Sequence, residues 1–552
     1  MKRPWLKHYP EEISARIDYP EVPLDRLLEE TVKHYRDRTA IRFFGQRISY
    51  GELNGWVDRC AAAFHELGIR KGDRISISLP NLPQFVIAFY GALRVGATVI
   101  QTNPLYTERE LKEILNDAGA KAIVTLRRLY PRVKVIQKET SLEHIIVTSI
   151  RDFLPTLKRW LYPLAQMRHG MRVRVPQDAA HDLMTMLAAA PATLPTVEID
   201  PHEDVALLQY TGGTTGTPKG VMLTHYNLVV NTLQARAWFA KSREGEEVIM
   251  AALPFFHVYG MTVALNLSIY LAATMILVPR FEIDEILELI NAYCPTLFPG
   301  VPTMYVAINN HPKLDRYRIS SIRECISGSA PLPVEVKAKF EELTGGKLVE
   351  GYGLSEASPV THSNLLYGEQ VTGSIGIPIP DTDVKIVDLK TGEDLGVGEV
   401  GELAIRGPQV MKGYWKRPEE TDAVLQNGWL YTGDIAQMDE QGYFYIVDRK
   451  KDLILASGYN VYPREVEEVL FEHPQVAEAA VVGVPDPYRG ETVKAYIVLK
   501  ADGTLTENEL RTFCTGKLAK YKIPTEFEFR DELPKSMIGK VLKRELREEE
   551  TG

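Results

Sequence analysis

Two kinds of apolar segment alternate along the first 150 residues. Apolar side chains at helical spacing over about ten residues predict helices, and shorter runs that are apolar throughout predict buried strands. Strands that alternate with helices of this length are typical of an α/β fold with a mostly parallel sheet. The helical segments are residues 61–69 and 85–96, and the strand segments are residues 75–80, 97–102, 122–126 and 144–148.

The last hundred residues or so carry a second, self-contained pattern. It predicts an amphipathic helix at 464–476, strands in EAAVVGVP and VKAYIVL, a helix that ends at Pro524, and a last strand in FEFRDELP. About 100 residues suffice for an independent domain. The charged stretch 447–454 precedes this unit and is suited to a linker. We therefore divide the chain into a domain of residues 1–450 and a smaller domain of residues 451–552.

One segment raises the question of a membrane span. Residues 261–278, MTVALNLSIYLAATMILV, carry no formal charge over 18 positions, which is long enough for a transmembrane candidate. Asn266, Ser268 and Thr274 interrupt the segment, so we expect a buried helix followed by a buried strand. No apolar core of signal-peptide length follows the basic N-terminus, and we expect no signal peptide.

A basic segment with interleaved aromatic residues occupies positions 151–175. It contains six arginine and lysine residues but only one acidic residue, Asp152, and Trp160 and Tyr162 lie among the basic residues in the sequence. Such a segment can lie on an anionic membrane surface. It can equally be a surface excursion whose basic groups are solvated, and the sequence leaves both interpretations open.

Composition narrows the class of protein. At roughly 150 residues per domain, 552 residues correspond to three or four domains or subdomains. The 64 basic and 73 acidic residues give a net charge of −9, which argues against a protein that coats nucleic acid. Four scattered cysteines without C-x-x-C or zinc spacing favour a reducing, cytoplasmic compartment and an intracellular enzyme. They are Cys60, Cys294, Cys325 and Cys514.

The strongest local motif is TGGTTGTPKG at residues 211–220. Its four glycines allow tight turns that present backbone N–H groups, its four threonines add hydroxyl donors, and Lys219 adds a positive charge. Together these groups suit a polyphosphate, although the spacing is neither that of the P-loop nor that of the G-x-G-x-x-G motif. The alternative is a flexible hairpin tip, which would not need four hydroxyls and a lysine.

The motif YTGGTTGTPKG resembles the phosphate loop of the adenylate-forming superfamily, which includes acyl-CoA synthetases, luciferases and the adenylation domains of peptide synthetases. Five further motifs follow in the family's order: PFFHVYG, GYGLSE, YTGD, DRKKDLILASGYNVYPREVE and PKSMIGK. Within the family, NPLYTERE and EGYGLSEASPVTH are most similar to bacterial long-chain fatty-acid–CoA ligases. The resemblance implies a large N-terminal body of layered α/β subdomains with an additional β subdomain, and a small, mobile α+β C-terminal domain.

The resemblance also implies a two-step reaction. ATP, with Mg²⁺, activates a medium- to long-chain fatty acid as an acyl-adenylate and releases pyrophosphate, and the thiol of coenzyme A then displaces AMP. The partners implied are the fatty acid and coenzyme A, with no nucleic acid, and a homodimer is a further alternative. Three rivals remain open: a ligase for an aromatic, coumarate-like acid, an enzyme that loads a carrier protein, and a luciferase-like oxygenase. For amino-acid activation we would expect an Asp near PFFHVYG, and residues 249–279 contain none.

The family's nucleotide-binding positions are carried over by motif. Glu356 matches the metal ligand, with Thr215 as its partner, and Ser355 and Thr215 match phosphate contacts. Tyr352 offers an aromatic face for adenine, and Asp434 and Arg449 match the ribose contacts. The full set implied for nucleotide and coenzyme A is Thr211, Gly212, Gly213, Thr214, Thr215, Gly216, Thr217, Lys219, Gly328, Tyr352, Gly353, Ser355, Asp434, Arg449 and Gly458.

The remaining carried-over positions concern catalysis, movement and the acyl chain. Lys540 matches the adenylation lysine, whose cation would stabilise charge that develops between the carboxylate and the α-phosphate. Lys451 occupies the family's hinge position, and in the family the position of His257 lies near the carboxylate and the mouth of the acyl pocket. Met261 stands where some long-chain synthetases carry a tryptophan gate. The implied pocket lining is Tyr259, Gly300, Val301 and Ala330.

Overall fold

The structure is a computed structural model that describes residues 3–168, 173, 175–176, 179–191, 196–211, 218–456, 459–486, 490–500, 503–535 and 541–551. Its helices are α1 (Arg26–Tyr35), α2 (Tyr50–Glu66), α3 (Pro83–Arg94), α4 (Glu108–Ala118), α5 (Tyr130–Ile136), α6 (Thr156–Arg168), α7 (Leu183–Ala189), α8 (His225–Trp238), α9 (Val258–Gly260), α10 (Leu267–Tyr270), α11 (Ile283–Tyr293), α12 (Pro302–Asn309), α13 (Val334–Thr344), α14 (Pro418–Val424), α15 (Pro463–Phe471), α16 (Glu507–Thr515) and α17 (Lys543–Thr551).

The strands are β1 (Thr39–Phe43), β2 (Gln46–Ser49), β3 (Arg74–Ser78), β4 (Thr98–Gln101), β5 (Ala122–Leu126), β6 (His144–Thr148), β7 (His181–Asp182), β8 (Val205–Thr211), β9 (Lys219–Thr224), β10 (Val248–Ala251), β11 (Thr274–Leu277), β12 (Glu324–Ser327), β13 (Lys347–Gly353), β14 (Val360–Ser363), β15 (Ile377–Pro378), β16 (Asp383–Val387), β17 (Gly401–Arg406), β18 (Gly413–Tyr414), β19 (Leu425–Gln426), β20 (Trp429–Met438), β21 (Phe444–Arg449), β22 (Ile454–Ala456), β23 (Tyr459–Val461), β24 (Val476–Asp486), β25 (Gly490–Leu499) and β26 (Glu526–Phe529).

The alternating pattern at the start of the chain forms an eight-stranded sheet in the order β18-β9-β8-β4-β3-β5-β6-β7. The pairs that join β8, β4, β3, β5, β6 and β7 are all parallel. Helices α2 and α3 supply buried faces to its core, and the first turn of α2 is closed by a capping box between Ser49 and Glu52. The predicted α/β layering and mostly parallel sheet are confirmed.

Further sheets extend the N-terminal body. Strands β10-β11-β1-β2 and β12-β13-β14-β15 form two four-stranded sheets, which parallel bridges through Leu297 connect. An antiparallel sheet of β16, β17, β20 and β19, with β21 paired to β20, follows them. This last sheet corresponds to the additional β subdomain that the resemblance implies.

The uncharged segment 261–278 is buried, as predicted. A π-helical turn (Met261–Asn266) continues into α10, and the chain then enters β11, which pairs in parallel with β1 and β10. Met261 has no exposed surface. Within the described ranges, every helix is too short or too polar to cross a bilayer.

The C-terminal residues form a separate sheet in the order β23-β22-β25-β24, with β26 paired to β25. Helices α15 and α16 pack on it. The prediction of a helix that ends at Pro524 was wrong, because α16 ends at Thr515, where Gly516, a poor helix former, follows. The expected linker 447–454 is also shorter than predicted, since β21 continues through Arg449 and pairs with β20 there.

Candidate functional site

The glycine- and threonine-rich motif joins two paired strands. Thr211 at the end of β8 lies opposite Lys219 at the start of β9 in an antiparallel ladder, so the connection has hairpin topology. Six of the predicted phosphate-binding residues lie outside the described residues: Gly212, Gly213, Thr214, Thr215, Gly216 and Thr217.

Both flanks of this loop are anchored. The Tyr210 hydroxyl donates to Asp117 Oδ2 at 2.6 Å, and Arg417 Nη2 donates to the other Asp117 oxygen at 3.0 Å. On the β9 side, the Trp415 N–H donates to the Gly220 carbonyl at 2.8 Å. The loop therefore starts and ends on positions that are fixed relative to each other.

Lys219 lies beside a carboxylate and a tyrosine ring. Its ammonium group is ion-paired with Glu420 and lies 5.2 Å from the ring centroid of Tyr414. Neither partner was predicted from the sequence. A cation in this position is available to a phosphate only in competition with Glu420.

Glu356 contacts the hydroxyl of the same tyrosine. β13 ends at Gly353, and Glu356 follows in a 3₁₀ turn (Ser355–Ala357). The Met411 N–H donates to the Glu356 carbonyl, and the Tyr414 hydroxyl donates to Glu356 Oε1, both at 2.8 Å. The structure thus brings together Lys219 and Glu356, two predicted residues that are 137 positions apart, through Tyr414.

Gly353 is required by close packing at this turn. A Cβ atom at this position would lie 2.2 Å from the Pro359 carbonyl oxygen. The absence of a side chain lets β13 approach the following residues, so that Tyr352 and Ser355 enter the site from one short segment.

The predicted ribose contacts form a second cluster. Asp434 on β20 and Arg449 on β21 are register partners, and their side chains form an ion pair with Arg449 Nε 3.2 Å from Asp434 Oδ1. The Tyr352 hydroxyl donates to Asp434 Oδ2 at 2.5 Å. Burial and the Asp434 charge raise the pKa of Tyr352 well above its ordinary value, so the hydroxyl remains a donor. Asp434 is only 6% exposed and presents acceptor oxygens in a fixed orientation.

His362 packs against Tyr352 in this cluster. Its ring centroid lies 5.8 Å from that of Tyr352 in an edge-on arrangement, and the residue is fully buried. Burial lowers the pKa of His362 to about 3, so the ring is neutral. The sequence EGYGLSEASPVTH contains this histidine, but its spacing from Tyr352 carries no signal for the contact.

The residues predicted for the acyl pocket gather at the ends of neighbouring strands. The Tyr259 hydroxyl donates to the Ile326 carbonyl at 2.8 Å. A Cβ atom at Gly328 would lie 3.1 Å from the Tyr259 ring, and one at Gly300 would lie 2.9 Å from the Tyr305 hydroxyl. The absence of a side chain at these two glycines therefore leaves space that the rings of Tyr259 and Tyr305 occupy. Val301 is buried and Ala330 is partly buried.

His257 lies at the start of α9. Its Nδ1 accepts a hydrogen bond from the Tyr259 N–H at 3.4 Å, and the ring is partly buried. Gly260, three residues further on, has no room for a side chain, because a Cβ atom would lie 2.3 Å from the Pro254 carbonyl oxygen. The motif PFFHVYG thus forms a tight turn that presents His257 beside Tyr259.

Lys451 lies where the chain passes from β21 to β22. Arg547 on α17 donates to the Lys451 carbonyl at 3.1 Å and is ion-paired with Asp452. Burial and the nearby Arg449 lower the pKa of Lys451. Gly458, predicted to contact coenzyme A, and Lys540, predicted as the adenylation lysine, lie outside the described residues.

The arrangement fits a nucleotide-bound magnesium ion. Mg²⁺ is usually held by one or two protein carboxylates, with water and substrate phosphates as its other ligands. Glu356 offers one such carboxylate near Lys219 at the start of β9, and one of its oxygens is hydrogen-bonded to Tyr414. The residues present therefore fit the ion.

Comparison with known families matches two parts of the chain. Residues 28–415 match the family described as AMP-binding enzyme, and residues 465–540 match the family described as AMP-binding enzyme C-terminal domain. The first match spans more than half of the chain and includes Tyr352, Glu356 and Lys219.

Two relatives named long-chain-fatty-acid–CoA ligase match along the whole chain. The protein of Bacillus subtilis (strain 168) is 50% identical over 554 residues, which cover 100% of this chain and 98% of the relative. The protein of Escherichia coli O157:H7 is 40% identical over 565 residues, which cover 100% and 99%. The solved structure of ATP-bound MatB from Rhodopseudomonas palustris has a TM-score of 0.84 and 31% identity, and the match covers 96% of this chain and 99% of that one.

Proposed function

The chain belongs to the AMP-binding enzyme family, and we propose that it is a long-chain fatty-acid–CoA ligase. The carboxylate of the fatty acid attacks the α-phosphate of ATP, which gives an acyl-adenylate and releases pyrophosphate. The thiol of coenzyme A then attacks the acyl carbon, loses its proton and displaces AMP. The observation that carries the proposal is full-length identity with two relatives of this name.

The described side chains suit the first step. Asp434 offers two fixed carboxylate oxygens, which are suitable acceptors for the vicinal ribose hydroxyls. Glu356 would hold the magnesium ion, which neutralises phosphate charge when it is bound. Lys219 adds a cation beside the loop that connects β8 and β9. We propose these roles on their geometry and on the family's motifs.

The acyl chain is proposed to enter beside Tyr259. The neighbouring positions Val301 and Met304 are buried and apolar, as expected for a pocket that binds a hydrocarbon. Tyr259 is held by the backbone carbonyl of Ile326, so its ring forms a fixed wall. His257, two residues before Tyr259, is proposed to lie near the carboxylate.

The test is an assay of AMP release that depends on coenzyme A. The substrates are fatty acids of increasing chain length and a set of aromatic acids, coumarate among them. We expect activity that rises towards long chains and is small for the aromatic acids. Preference for an aromatic acid, or AMP release without thioester formation, would contradict the proposal.

We further propose that residues 451–552 move as a unit about Lys451. The chain leaves one sheet at Arg449 and enters another at Ile454, and only four residues separate the two. Small-angle X-ray scattering should then give different profiles with an acyl-adenylate analogue and with coenzyme A. A single profile under both conditions would contradict movement. The homodimer, which the sequence leaves as an alternative, is tested by sedimentation velocity on the same samples.

We also propose that the cytoplasmic enzyme touches the inner face of the membrane through α6. Leu157 and Trp160 on this helix are 74% and 76% exposed, and Lys158 and Arg159 beside them are exposed. Exposed apolar side chains among cations suit an anionic bilayer surface. The variant Trp160→Ala should bind vesicles that contain phosphatidylglycerol more weakly than the wild type, with unchanged turnover of a short, soluble acid. Equal binding of both proteins to these anionic vesicles, or no vesicle binding by the wild type, would contradict this role.

A further inference from the structure

The segment 411–421 contacts both the flank of the phosphate loop and the turn that carries Glu356. Gly413 and Tyr414 form β18, which pairs with Met222 and Val221 of β9. Met411, at one end of the segment, donates its N–H to the Glu356 carbonyl at 2.8 Å. The segment therefore connects two parts of the site that are distant in sequence.

The backbone of Tyr414 is fixed by its neighbours. Its N–H donates to the Thr421 hydroxyl at 2.9 Å, and that hydroxyl donates to the Arg417 carbonyl at 2.8 Å. Tyr414 is also 8% exposed. Because the backbone is part of the sheet and the side chain is packed, the position of the hydroxyl is defined by the fold and not by the nucleotide.

The side chain of Tyr414 has two different partners. Its hydroxyl donates to Glu356 Oε1 at 2.8 Å, and its ring lies beside the Lys219 ammonium at 5.2 Å from the centroid. The hydroxyl is a neutral donor, so it restricts the rotation of the carboxylate without neutralising its charge. A carboxylate held in this way can present its second oxygen to a cation in one orientation.

We propose that Tyr414 is a positioning residue, which holds the Glu356 carboxylate in the orientation that binds the magnesium ion of MgATP. The inference rests on the proposed function. A residue that hydrogen-bonds to a metal ligand fixes the orientation of that ligand. Loss of such a residue typically lowers metal affinity or activity about 10- to 100-fold. Arginine or lysine in the same place would compete with the metal for the carboxylate, whereas the tyrosine hydroxyl does not.

The test is Tyr414→Phe, which removes the hydroxyl and keeps the ring next to Lys219. Equilibrium titration measures ATP affinity with saturating Mg²⁺ and again with a chelator. We expect the gain in affinity that magnesium provides to fall about tenfold, with the magnesium-free affinity unchanged. Thioester formation from supplied acyl-adenylate, which involves no pyrophosphate, should keep its rate.

The variant Tyr445→Phe is the matched control. The Tyr445 hydroxyl also donates to a carboxylate, Asp439 Oδ2 at 3.0 Å, but it lies in the β20–β21 hairpin and outside the proposed site. Tyr445→Phe should leave the gain in ATP affinity that magnesium provides unchanged. Thermal unfolding of both variants shows whether either change affects the fold.

A double-mutant cycle separates positioning from a general structural effect. In a Glu356→Ala background, Tyr414→Phe should have no further effect on magnesium-dependent ATP binding, because the residue through which it acts is gone. Additive effects, or an equal loss of affinity with and without magnesium, would overturn the inference. If the wild type gains no affinity from magnesium, the proposed function fails as well, whereas a gain that survives Tyr414→Phe overturns only the role of Tyr414.

Discussion

Replacement of Asp434 by asparagine tests the ribose contact with almost no change in shape. Asp434 accepts from the Tyr352 hydroxyl at 2.5 Å and pairs with Arg449 at 3.2 Å. The asparagine oxygen can still accept from Tyr352, and the Arg449 side chain is 41% exposed, so water can solvate its charge. Because asparagine also keeps the volume of the buried side chain, we expect the variant to fold.

The expected loss of nucleotide affinity follows from the loss of charge on the acceptor. A hydrogen bond to a charged group contributes about 1.5–3 kcal/mol, and one between neutral groups contributes about 0.5–1.5 kcal/mol. The midpoints of these ranges differ by about 1.2 kcal/mol for each ribose hydroxyl, which is a little under tenfold in affinity. For two hydroxyls, Asp434→Asn should bind ATP about 60-fold more weakly than the wild type.

The assay compares ATP with 2′,3′-dideoxy-ATP, which lacks both hydroxyls. The wild type should strongly prefer ATP, and Asp434→Asn should lose most of that preference while its affinity for the dideoxy analogue stays the same. Asp439→Asn is the matched control, because Asp439 also accepts from a tyrosine hydroxyl in the same β20–β21 hairpin. An equal loss of affinity for both nucleotides would refute the assignment of Asp434 to the ribose.

Three further predictions concern other residues. Lys540→Ala should lower acyl-adenylate formation about 10²- to 10³-fold and spare thioester formation from supplied acyl-adenylate; equal loss of both rates would exclude an adenylation role. Gly353→Ala should lower the free energy of unfolding by about 1–3 kcal/mol, because its Cβ would lie 2.2 Å from the Pro359 carbonyl oxygen. The control is Gly55→Ala, which has open space around it and should not destabilise the protein. Urea titration measures both variants. Burial lowers the pKa of His225 to about 4, so the unfolded chain binds more protons below pH 6.5 and stability falls as the pH falls, by about 2 kcal/mol between pH 7 and pH 5 from this residue. His225→Asn keeps an acceptor for the Leu24 N–H and should lose correspondingly less stability over that interval, and an unchanged pH dependence would contradict the argument.

Local sequence patterns predicted the parallel sheet well, because its strands are buried on both faces and read as continuous apolar runs. The segments at 122–126 and 144–148 are strands β5 and β6 with the predicted bounds. The helix predicted to end at Pro524 was wrong, since α16 ends at Thr515. The amphipathic pattern continues past Gly516, but the chain turns there. The pattern alone does not distinguish a helix from a turn that buries the same apolar side chains.

The site was predictable only where a motif carries its own chemistry. Glu356, Asp434 and Lys219 stand in recognisable motifs, and the structure brings Glu356 and Lys219 together around Tyr414. Tyr414 itself stands in GYWKRPEET, a mixed run of aromatic and charged residues with no spacing typical of a nucleotide site. Its role depends on the pairing of β18 with β9, a contact between segments almost two hundred residues apart that no local pattern reports.

Three tyrosine–carboxylate pairs surround the site and explain how acidic groups can serve next to a polyanionic substrate. Tyr352, Tyr414 and Tyr210 donate to Asp434, Glu356 and Asp117 at 2.5, 2.8 and 2.6 Å. Burial, together with the neighbouring carboxylate, raises the pKa of each tyrosine, so each remains a neutral donor. A neutral donor orients a carboxylate and leaves its charge for another partner. That partner is Arg417 at Asp117, and by our proposals it is the ribose at Asp434 and magnesium at Glu356. The same tyrosine–carboxylate hydrogen bond therefore occurs in one structural contact and in two proposed binding contacts. Only variants that remove a single hydroxyl or a single charge can distinguish these roles.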